Sequence, residues 1–184
     1  MKLSVLIPSL QSRSHFLERV LDCLKKQIEN NSYQEVVEIK TLVDNGGQTI
    51  GQKRNTLKAN ANGEYICFVD DDDLLPDYYL QEILSRLNSG YDIITFYVEH
   101  IVDGSYKKLI CPHLHIDNQE IKGCLFWTNM LHLCPHKKSI SDLVQFPNIN
   151  FCEDLEYSKA IKEYCKNNSF IEKIMYHYEY KSNK

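Results

Sequence analysis

The sequence lacks three features that would each indicate a class of protein: a long apolar run, a CxxC pair and a basic stripe. No segment of the 184 residues approaches the roughly 20 apolar residues of a membrane span. The N-terminal MKLSVLIPSL contains a short apolar run, but it lacks the small-residue cleavage site of a secretory signal. These absences predict a cytoplasmic protein without a membrane span.

The cysteine pattern and the charge exclude two further classes. Seven cysteines, an odd number, indicate neither a disulfide framework nor a zinc ribbon. Cys111, His113 and His115 alternate and would share one face of a strand, but no fourth ligand accompanies them, so a surface hairpin is favoured over a metal site. A net charge of −4 without a basic stripe argues against binding to the phosphate backbone of nucleic acids.

The pattern of apolar residues predicts a single α/β domain over residues 1–184. The first two-thirds of the chain alternates apolar strand runs with helical spacing, and it contains no repeat or linker. Alternation of this kind predicts right-handed crossovers and a doubly wound, mostly parallel sheet with helices on both faces. The predicted strands cover residues 3–7, 35–44, 64–70 and 91–98, with helices at about 17–28, 50–61 and 76–87. Thr49 followed by Gln52 predicts a capping box at the start of the second helix.

The remaining third is predicted as a hairpin over 99–112, a helix over 151–165 and a last strand over 169–180. In doubly wound sheets, ligands bind beyond the carboxyl ends of the strands. Residues 8–13, 44–47 and 70–73 all follow predicted strands. They are therefore the candidates for a ligand site.

The stretch EYICFVDDDDLLPDYYL ends a predicted central strand with four aspartates. In an extended segment Asp70 and Asp72 would point the same way, about 6.6 Å apart. Their repulsion, about 2.5 kcal/mol at an effective dielectric constant of 20, would be relieved by Mg²⁺ or Mn²⁺. Strand alternation directs Asp71 away from this pair, and Asp73 is predicted to cap a helix that begins at Pro76.

Two other charged pairs stand at predicted helix starts. Lys53 and Arg54 follow a glycine-containing turn, where cations and backbone donors suit a diphosphate, although a solvated helix face gives the same pattern. Glu153 and Asp154 fit the positive end of a helix for electrostatic reasons alone. Beside a metal–diphosphate site, either carboxylate could accept the proton of an attacking hydroxyl.

Taken in order, these blocks resemble the family-two glycosyltransferases of the GT-A fold, which use nucleotide-diphosphate sugar donors. LSVLIPSLQSR is similar to their first strand and nucleotide loop, and LVDNGGQTIGQKRN to the second strand and the following helix. GEYICFVDDDDLLPDYY resembles their DxD segment, and FCEDLEY their later ED motif. The resemblance covers nearly the whole chain and implies a small soluble member.

The resemblance implies a division of labour along the chain. Residues 1–98 would bind a UDP- or GDP-sugar, and residues 99–184 would hold a glycan or other hydroxyl acceptor and the catalytic base. Asp72 would bind Mn²⁺ or Mg²⁺, and His177 would be a further metal ligand unless it is a packed core residue. The side chains and backbone implied to contact the donor are Pro8, Ser9, Arg13, Asp44, Lys53, Arg54, Asp70 and Asp71.

The resemblance also implies a direct displacement with inversion at the anomeric carbon. Asp154 would be the base, and Glu153 would orient or contact the acceptor. The metal and Lys53 or Arg54 would stabilise the departing diphosphate. The segment NMLHLCPHKK lies where the family builds its acceptor contacts, which makes candidates of Asn129, His132 and Lys137.

Three alternative functions stay open. A phosphatase of the haloacid dehalogenase class also carries DxD after an apolar strand, but normally after the first strand and with Thr or Val where this chain has Leu74. A nucleotidyltransferase would carry a glycine-rich first loop, which PSLQSR replaces. A non-catalytic module that binds a nucleotide sugar or a glycan is the alternative outside the enzymes.

Overall fold

The structure is a computed structural model that describes residues 1–116 and 119–180. Its strands are β1 (Leu3–Leu10), β2 (Val37–Asp44), β3 (Tyr65–Phe68), β4 (Ile93–Val102), β5 (Ser105–Cys111), β6 (Gln119–Ile121), β7 (Cys124–Phe126), β8 (His136–Lys137) and β9 (Asn168–Tyr180). Its helices are α1 (Ser14–Asn31), α2 (Ile50–Ala59), α3 (Tyr79–Leu87), α4 (Lys138–Ser141) and α5 (Glu153–Lys162). Among these described helices, none is both long enough and apolar enough to cross a bilayer.

The strands form one mixed sheet in the order β2-β1-β3-β8-β4-β5-β7-β6, with β9 also paired to β4. β1 runs parallel to both β2 and β3, and β9 runs parallel to β4. The short β8 is antiparallel to β3 and β4. The predicted hairpin is present as β4 and β5, which turn through Asp103 (φ 50°) and Gly104 (φ 75°).

The core lies on both faces of the first strands, as their continuous apolar runs predict. Every residue of β3 is at most 1% exposed. α1 packs the buried side chains of Leu17, Val20 and Leu24 against the sheet, and α3 packs those of Leu80 and Ile83. The carboxyl ends of β1 and β3 consequently open side by side at one edge.

The helix after the aspartates begins at Tyr79, three residues later than the predicted start at Pro76. A side chain from α1 explains the shift. The Leu80 N–H donates to Gln27 Oε1 at 2.9 Å, and Gln27 Nε2 donates to the Pro76 carbonyl at 3.0 Å. Gln27 thus satisfies one backbone donor of the helix start and holds the preceding loop outside the helix.

The start of α2 agrees with the predicted capping box. The Gln52 N–H donates to Thr49 Oγ1 at 3.1 Å, and the Thr49 N–H donates to Gln52 Oε1 at 3.0 Å. Two backbone donors at the helix start are satisfied by this exchange. The helix ends at Ala59, two residues before the predicted end.

Candidate active site

A first cavity of about 460 Å³ opens where β1 and β3 end and α2 and α5 begin. It collects every residue predicted to contact the donor except Asp44, and it also collects Asp72 and Glu153. The lining residues are Pro8, Ser9, Leu10, Arg13, Ile50, Lys53, Arg54, Asp70, Asp71, Asp72, Asn150, Phe151 and Glu153. Residues from four separate sequence blocks therefore meet in one place.

The aspartates form a turn rather than an extension of the strand, because β3 ends at Phe68. Asp71 is buried at 4% exposure, accepts a hydrogen bond from Ser9 Oγ at 2.5 Å and pairs with Arg13. Arg13 also pairs with Asp72 at 2.8 Å. The prediction that Asp71 points away is therefore wrong, since strand alternation does not apply in a turn. Burial, opposed by Ser9 and Arg13, raises the pKa of Asp71.

Asp73 does not cap the following helix, which corrects the sequence prediction. Its side chain is buried, and Oδ1 accepts from the Glu179 N–H of β9 at 3.0 Å. The Tyr176 hydroxyl, also on β9, accepts from the Asp70 N–H at 2.9 Å. Burial and the charge of Asp70 raise the pKa of Asp73 well above its usual range. Asp73 and Tyr176 thus attach the aspartate turn to the last strand.

Arg54 joins the two acidic motifs. Its buried guanidinium donates to Asp70 at 2.8 Å and to Glu153 at 2.9 Å. It also lies 5.8 Å from the Phe68 ring centroid and 5.5 Å from that of Phe146, within cation–π range. Burial raises the pKa of Glu153, and Arg54 opposes this rise. The start of α5 is therefore tied to the aspartate turn by one side chain.

Lys53 is also committed to protein partners. Its buried ammonium donates to the Ser9 carbonyl at 2.8 Å and pairs with Asp44. The hydrogen bond from Lys53, together with those from the Gly46 and Gln48 N–H groups, lowers the pKa of Asp44 to about 2. Asp44 is not among the residues that line the first cavity, and the structure places it behind Lys53. Its predicted contact with the donor stays a prediction.

The backbone donors at the start of α2 are occupied. The Ile50 N–H donates to Asn150 Oδ1 at 3.1 Å, and the Gly51 N–H donates to the Ile149 carbonyl at 3.3 Å. Residues 147–150 pack closely on the start of α2, since a Cβ on Gly51 would lie 1.9 Å from the Pro147 carbonyl oxygen. The expectation that these donors hold a diphosphate is wrong, since residues 147–150 occupy that position.

A second cavity of about 260 Å³ adjoins the first and shares Asp70 with it. It contains Asp154 and two of the three candidate acceptor contacts, Asn129 and His132. Lys137 is not among its lining residues and pairs with Asp92 at 2.9 Å. The residues that line the cavity are Asp70, Trp127, Asn129, Met130, His132, Leu133, Cys152, Asp154, Leu155 and Tyr178.

His132 is the buried polar side chain of this second cavity. It is 2% exposed, and its Nδ1 has no hydrogen-bond partner among the described residues. Burial, reinforced by the charge of Arg54, lowers the pKa of His132 to about 3. The imidazole is therefore neutral near pH 7 and keeps unused hydrogen-bonding capacity.

The structure places the two acids of the ED motif differently. Glu153 is directed to Arg54 and the first cavity, whereas Asp154 faces the second cavity and accepts from the Leu155 N–H at 2.8 Å. A contact between Glu153 and an acceptor is therefore not supported, because Arg54 holds that carboxylate elsewhere. Two adjacent residues face different cavities because they stand in the first turn of a helix.

His177 lies on β9, where its backbone pairs with Leu74. Its ring Nδ1 is 2.6 Å from Glu99 Oε2, and it is not among the lining residues of either cavity. Within residues 1–116 and 119–180, no three His, Cys, Asp or Glu side chains form a metal-ligand group. The metal role of His177 stays a prediction.

The first cavity nevertheless has the donor set that Mg²⁺ or Mn²⁺ uses with phosphorylated ligands. Such ions take one or two carboxylates and complete their coordination with phosphate oxygens and water. Asp70 and Asp72 both line the first cavity. The lining carries four carboxylates and three cationic side chains, so a bound diphosphate would add to an excess of negative charge. The residues therefore fit a divalent ion that arrives with its ligand.

Sequence reasoning missed Asn150 and most of the apolar and aromatic residues that line the two cavities. Phe151 lines the first cavity and is 84% exposed. Its position just before the Glu153–Asp154 pair was the signal in the sequence that could have indicated this role. Asn150 contacts a helix that begins 100 residues earlier, and nothing local marks such a contact. Tyr178 lies on a strand whose pairing with β4 is visible only in the folded chain.

Comparison with known proteins gives the family. The family model described as glycosyl transferase family 2 matches residues 37–142, more than half of the chain. No curated protein sequence matches. The solved structure of S. aureus TarS 1-349 in complex with UDP matches with a TM-score of 0.70 and 16% identity, over 98% of this chain and 61% of that chain. The complex of TarS 1-349 with UDP-GlcNAc gives 0.64 and 14%, over 100% and 60%.

These likenesses show the GT-A fold, and the chain spans about 61% of the TarS 1-349 structure. The structure described as S. aureus TarS, without stated residue limits, matches with a TM-score of 0.68 over 98% of this chain and 37% of the TarS chain. The alternation of strands and helices, the mixed sheet and the family match agree. The protein belongs to glycosyl transferase family 2.

Proposed function

We propose that the protein transfers a sugar from a nucleotide-diphosphate donor to an acceptor hydroxyl, with inversion and with a divalent metal ion. The observation that carries the proposal is that Asp70 lines two adjoining cavities. The first contains the DxD carboxylates and three cations, and the second contains Asp154. UDP and UDP-GlcNAc are bound in the TarS structures of the same fold, which supports a nucleotide-sugar ligand for the first cavity.

In this proposal the diphosphate lies in the first cavity. Asp72, with Asp70 beside it, would hold Mn²⁺ or Mg²⁺, which neutralises charge on the departing diphosphate when it is bound. Arg13 keeps Asp71 and Asp72 in one arrangement through its two ion pairs. Arg54 fixes the position of Asp70 in the same way. The cations thus hold carboxylates in place before a ligand binds, and this preorganisation lowers the cost of binding.

The sites of the leaving group and the base lie in different cavities, which suits a single displacement. The acceptor oxygen attacks the anomeric carbon while the bond from that carbon to the diphosphate oxygen breaks. Asp154 takes the hydroxyl proton on the side of the second cavity. Glu153 is committed to Arg54, so Asp154 is the carboxylate of the ED motif that is available as the base. Glu153 becomes a positioning residue.

The phosphatase alternative has no support. Its DxD motif follows the first strand, whereas Asp70 follows β3, which is flanked in the sheet by β1 and β8. The match to glycosyl transferase family 2 also argues against a phosphatase. A module that binds a nucleotide sugar without turnover would use the same first cavity. It is therefore distinguished by experiment.

The test measures binding and turnover of UDP- and GDP-sugars with Mg²⁺ and Mn²⁺, against a panel of hydroxyl acceptors. Asp72→Asn is expected to lose metal-dependent donor binding. Asp154→Asn is expected to bind the donor normally and to lose about 10²–10⁴-fold in turnover, the usual contribution of a general base. Asp77→Asn, an exposed aspartate of the loop before α3, is the matched control and should behave as the unmodified protein.

Each outcome has a defined meaning. If no nucleotide sugar binds with metal present, the proposed transfer from a nucleotide-diphosphate donor is wrong. If donors bind tightly but none is turned over on any acceptor, the chain is a binding module. If Asp154→Asn retains full turnover, the base lies elsewhere.

A further inference from the structure

The second cavity is an apolar pocket with a few polar groups. Its walls include Trp127, Tyr178, Leu133 and Leu155, and its polar side chains include His132 and Asp154. Among the described residues that line it, none is Lys or Arg. Apolar walls with a few fixed polar groups are typical of small-molecule sites. The volume of about 260 Å³ lies just below the range of about 300–1,000 Å³ of such sites, which suits a single ring.

Resting on the transfer reaction proposed above, we propose that this cavity takes an uncharged sugar ring as the acceptor. One face of the ring lies against Trp127 or Tyr178, and the attacking hydroxyl points to Asp154.

The charges of the cavity argue against an anionic acceptor. Asp154 lines it, and Asp70 beside it is already paired with Arg54. A phosphate or carboxylate on the acceptor would therefore lie near the Asp154 carboxylate with no Lys or Arg in the lining. His132 does not supply one, because burial lowers its pKa to about 3. Like charges at short range repel strongly where water is excluded. An acceptor without charge meets no such penalty.

The aromatic side chains argue for a ring rather than an open-chain polyol. One face of a sugar ring presents C–H groups that pack on an aromatic surface, while its hydroxyls point outward to polar partners. Tyr178 is held in position by stacking on His100, with ring centroids 5.3 Å apart and an interplanar angle of 26°. A ring already fixed before binding loses little conformational entropy. An acyclic polyol offers no flat face for this packing, and it would lose more conformational entropy on binding than a sugar ring does.

His132 provides an independent indication of a ligand. It is a buried polar side chain in the cavity wall, and its Nδ1 has no hydrogen-bond partner within the described residues. Buried polar groups in native proteins nearly always have partners. A sugar ring carries several hydroxyls that both donate and accept, so it can satisfy a neutral imidazole in this wall.

Intrinsic fluorescence tests the inference directly, because Trp127 is the one tryptophan of the sequence. The protein is titrated with methyl glycosides of glucose, galactose and N-acetylglucosamine, in the presence of Mg²⁺ and either UDP or GDP. Glucose 6-phosphate and the open-chain glucitol are the comparison probes. At least one methyl glycoside is expected to change the emission saturably, with a Kd at least tenfold below those of both comparison probes. Equal or tighter binding of either comparison probe, or no binding of any glycoside, would overturn the inference.

Variants of Tyr178 separate stacking from other contacts. Tyr178→Ala is expected to raise the Kd of the best glycoside about fivefold or more, and Tyr178→Phe should keep it within about twofold. Tyr106→Ala, at a 57% exposed tyrosine of β5 outside the cavity, is the matched control. Binding by Tyr178→Ala that equals that of the unmodified protein would refute the stacking arrangement.

Donor hydrolysis, measured on the same samples, keeps the two proposals apart. Hydrolysis of a nucleotide sugar without binding of any glycoside would refute the cavity inference and leave the proposed function standing. Glycoside binding without any binding or hydrolysis of a nucleotide sugar would refute the proposed function and identify a sugar-binding cavity instead.

Discussion

Replacing Arg54 with methionine should destabilise the protein strongly. The side chain of Arg54 is 4% exposed and pairs with Asp70 and Glu153. Glu153 is 6% exposed at its side chain, so the variant would leave a buried carboxylate without a counter-charge. Removal of one partner from a buried ion pair costs about 3–5 kcal/mol in the free energy of unfolding. Asp70 is 30% exposed, so water can solvate its carboxylate once Arg54 is gone. The loss of the Asp70 pair therefore adds little to this cost in unfolding free energy.

The loss should depend on pH in a defined direction. Burial already raises the pKa of Glu153, and Arg54 opposes that rise. Without Arg54 the pKa in the folded state rises further above the unfolded value of about 4.3. A group with a raised pKa binds more protons when folded, so the variant gains stability as pH falls. The difference in unfolding free energy between the variant and the unmodified protein should therefore become smaller as pH falls from about 7 to about 4.5.

Urea denaturation at several pH values measures both effects. Arg86→Met, an exposed arginine of α3, is the matched control and should change stability by less than about 0.5 kcal/mol. The double variant Arg54→Met with Glu153→Leu should recover part of the loss, because the uncompensated charge is then absent. A loss below about 1 kcal/mol, or one that does not vary with pH, would refute the reasoning.

Three further variants test other parts of the site. Gly51→Ala should cost roughly 1–3 kcal/mol of unfolding free energy in urea denaturation, because the new Cβ would lie 1.9 Å from the Pro147 carbonyl oxygen. Phe151→Ala should leave stability unchanged, since the ring is 84% exposed, but weaken UDP or GDP binding about fivefold or more if a base stacks on it. Pairing with Lys53 lowers the pKa of Asp44 to about 2, so the unmodified protein should lose the stabilisation from this carboxylate as pH falls from about 4 to about 2. Asp44→Asn lacks that stabilisation at every pH, so it should be less stable than the unmodified protein above about pH 4, and the difference should shrink below it.

Controls for these three variants lie close by in the chain. At Gly47 a Cβ would come no nearer than 3.8 Å to Asp44, so Gly47→Ala should be tolerated where Gly51→Ala is not. Leu143→Ala removes an apolar side chain that is 61% exposed outside the first cavity, and it should leave nucleotide affinity unchanged. For Asp44→Asn, the stability difference from the unmodified protein should be constant above about pH 4. A difference that grows toward low pH would contradict the assignment.

Local chemistry explains which elements the sequence could predict. The capping box at Thr49 and Gln52 and the turn at Gly104 depend on neighbouring residues, and both are present in the structure. The start of α3 depends on Gln27, a residue of another helix, and its prediction was wrong by three residues. Elements fixed by local rules were therefore predictable, whereas boundaries fixed by tertiary contacts were not.

The site shows the same division. Grouping of Asp70 and Asp72 with Arg54 followed from the end-of-strand rule and from the family resemblance, and the first cavity contains all three. The orientations did not follow, because Asp71 and Asp73 lie in a turn whose partners come from Arg13 and β9. Nor could the sequence show that residues 147–150 occupy the donors of α2.

Asp70 gives the two cavities a thermodynamic link. Its N–H is held by the Tyr176 hydroxyl and its carboxylate by Arg54, so the residue has few ways to adjust independently. A ligand that changes the environment of this carboxylate in one cavity alters the wall of the other. The factor by which one ligand changes the affinity of the second must equal the factor in the reverse direction. Titration of each ligand with and without the other would therefore measure a single coupling free energy.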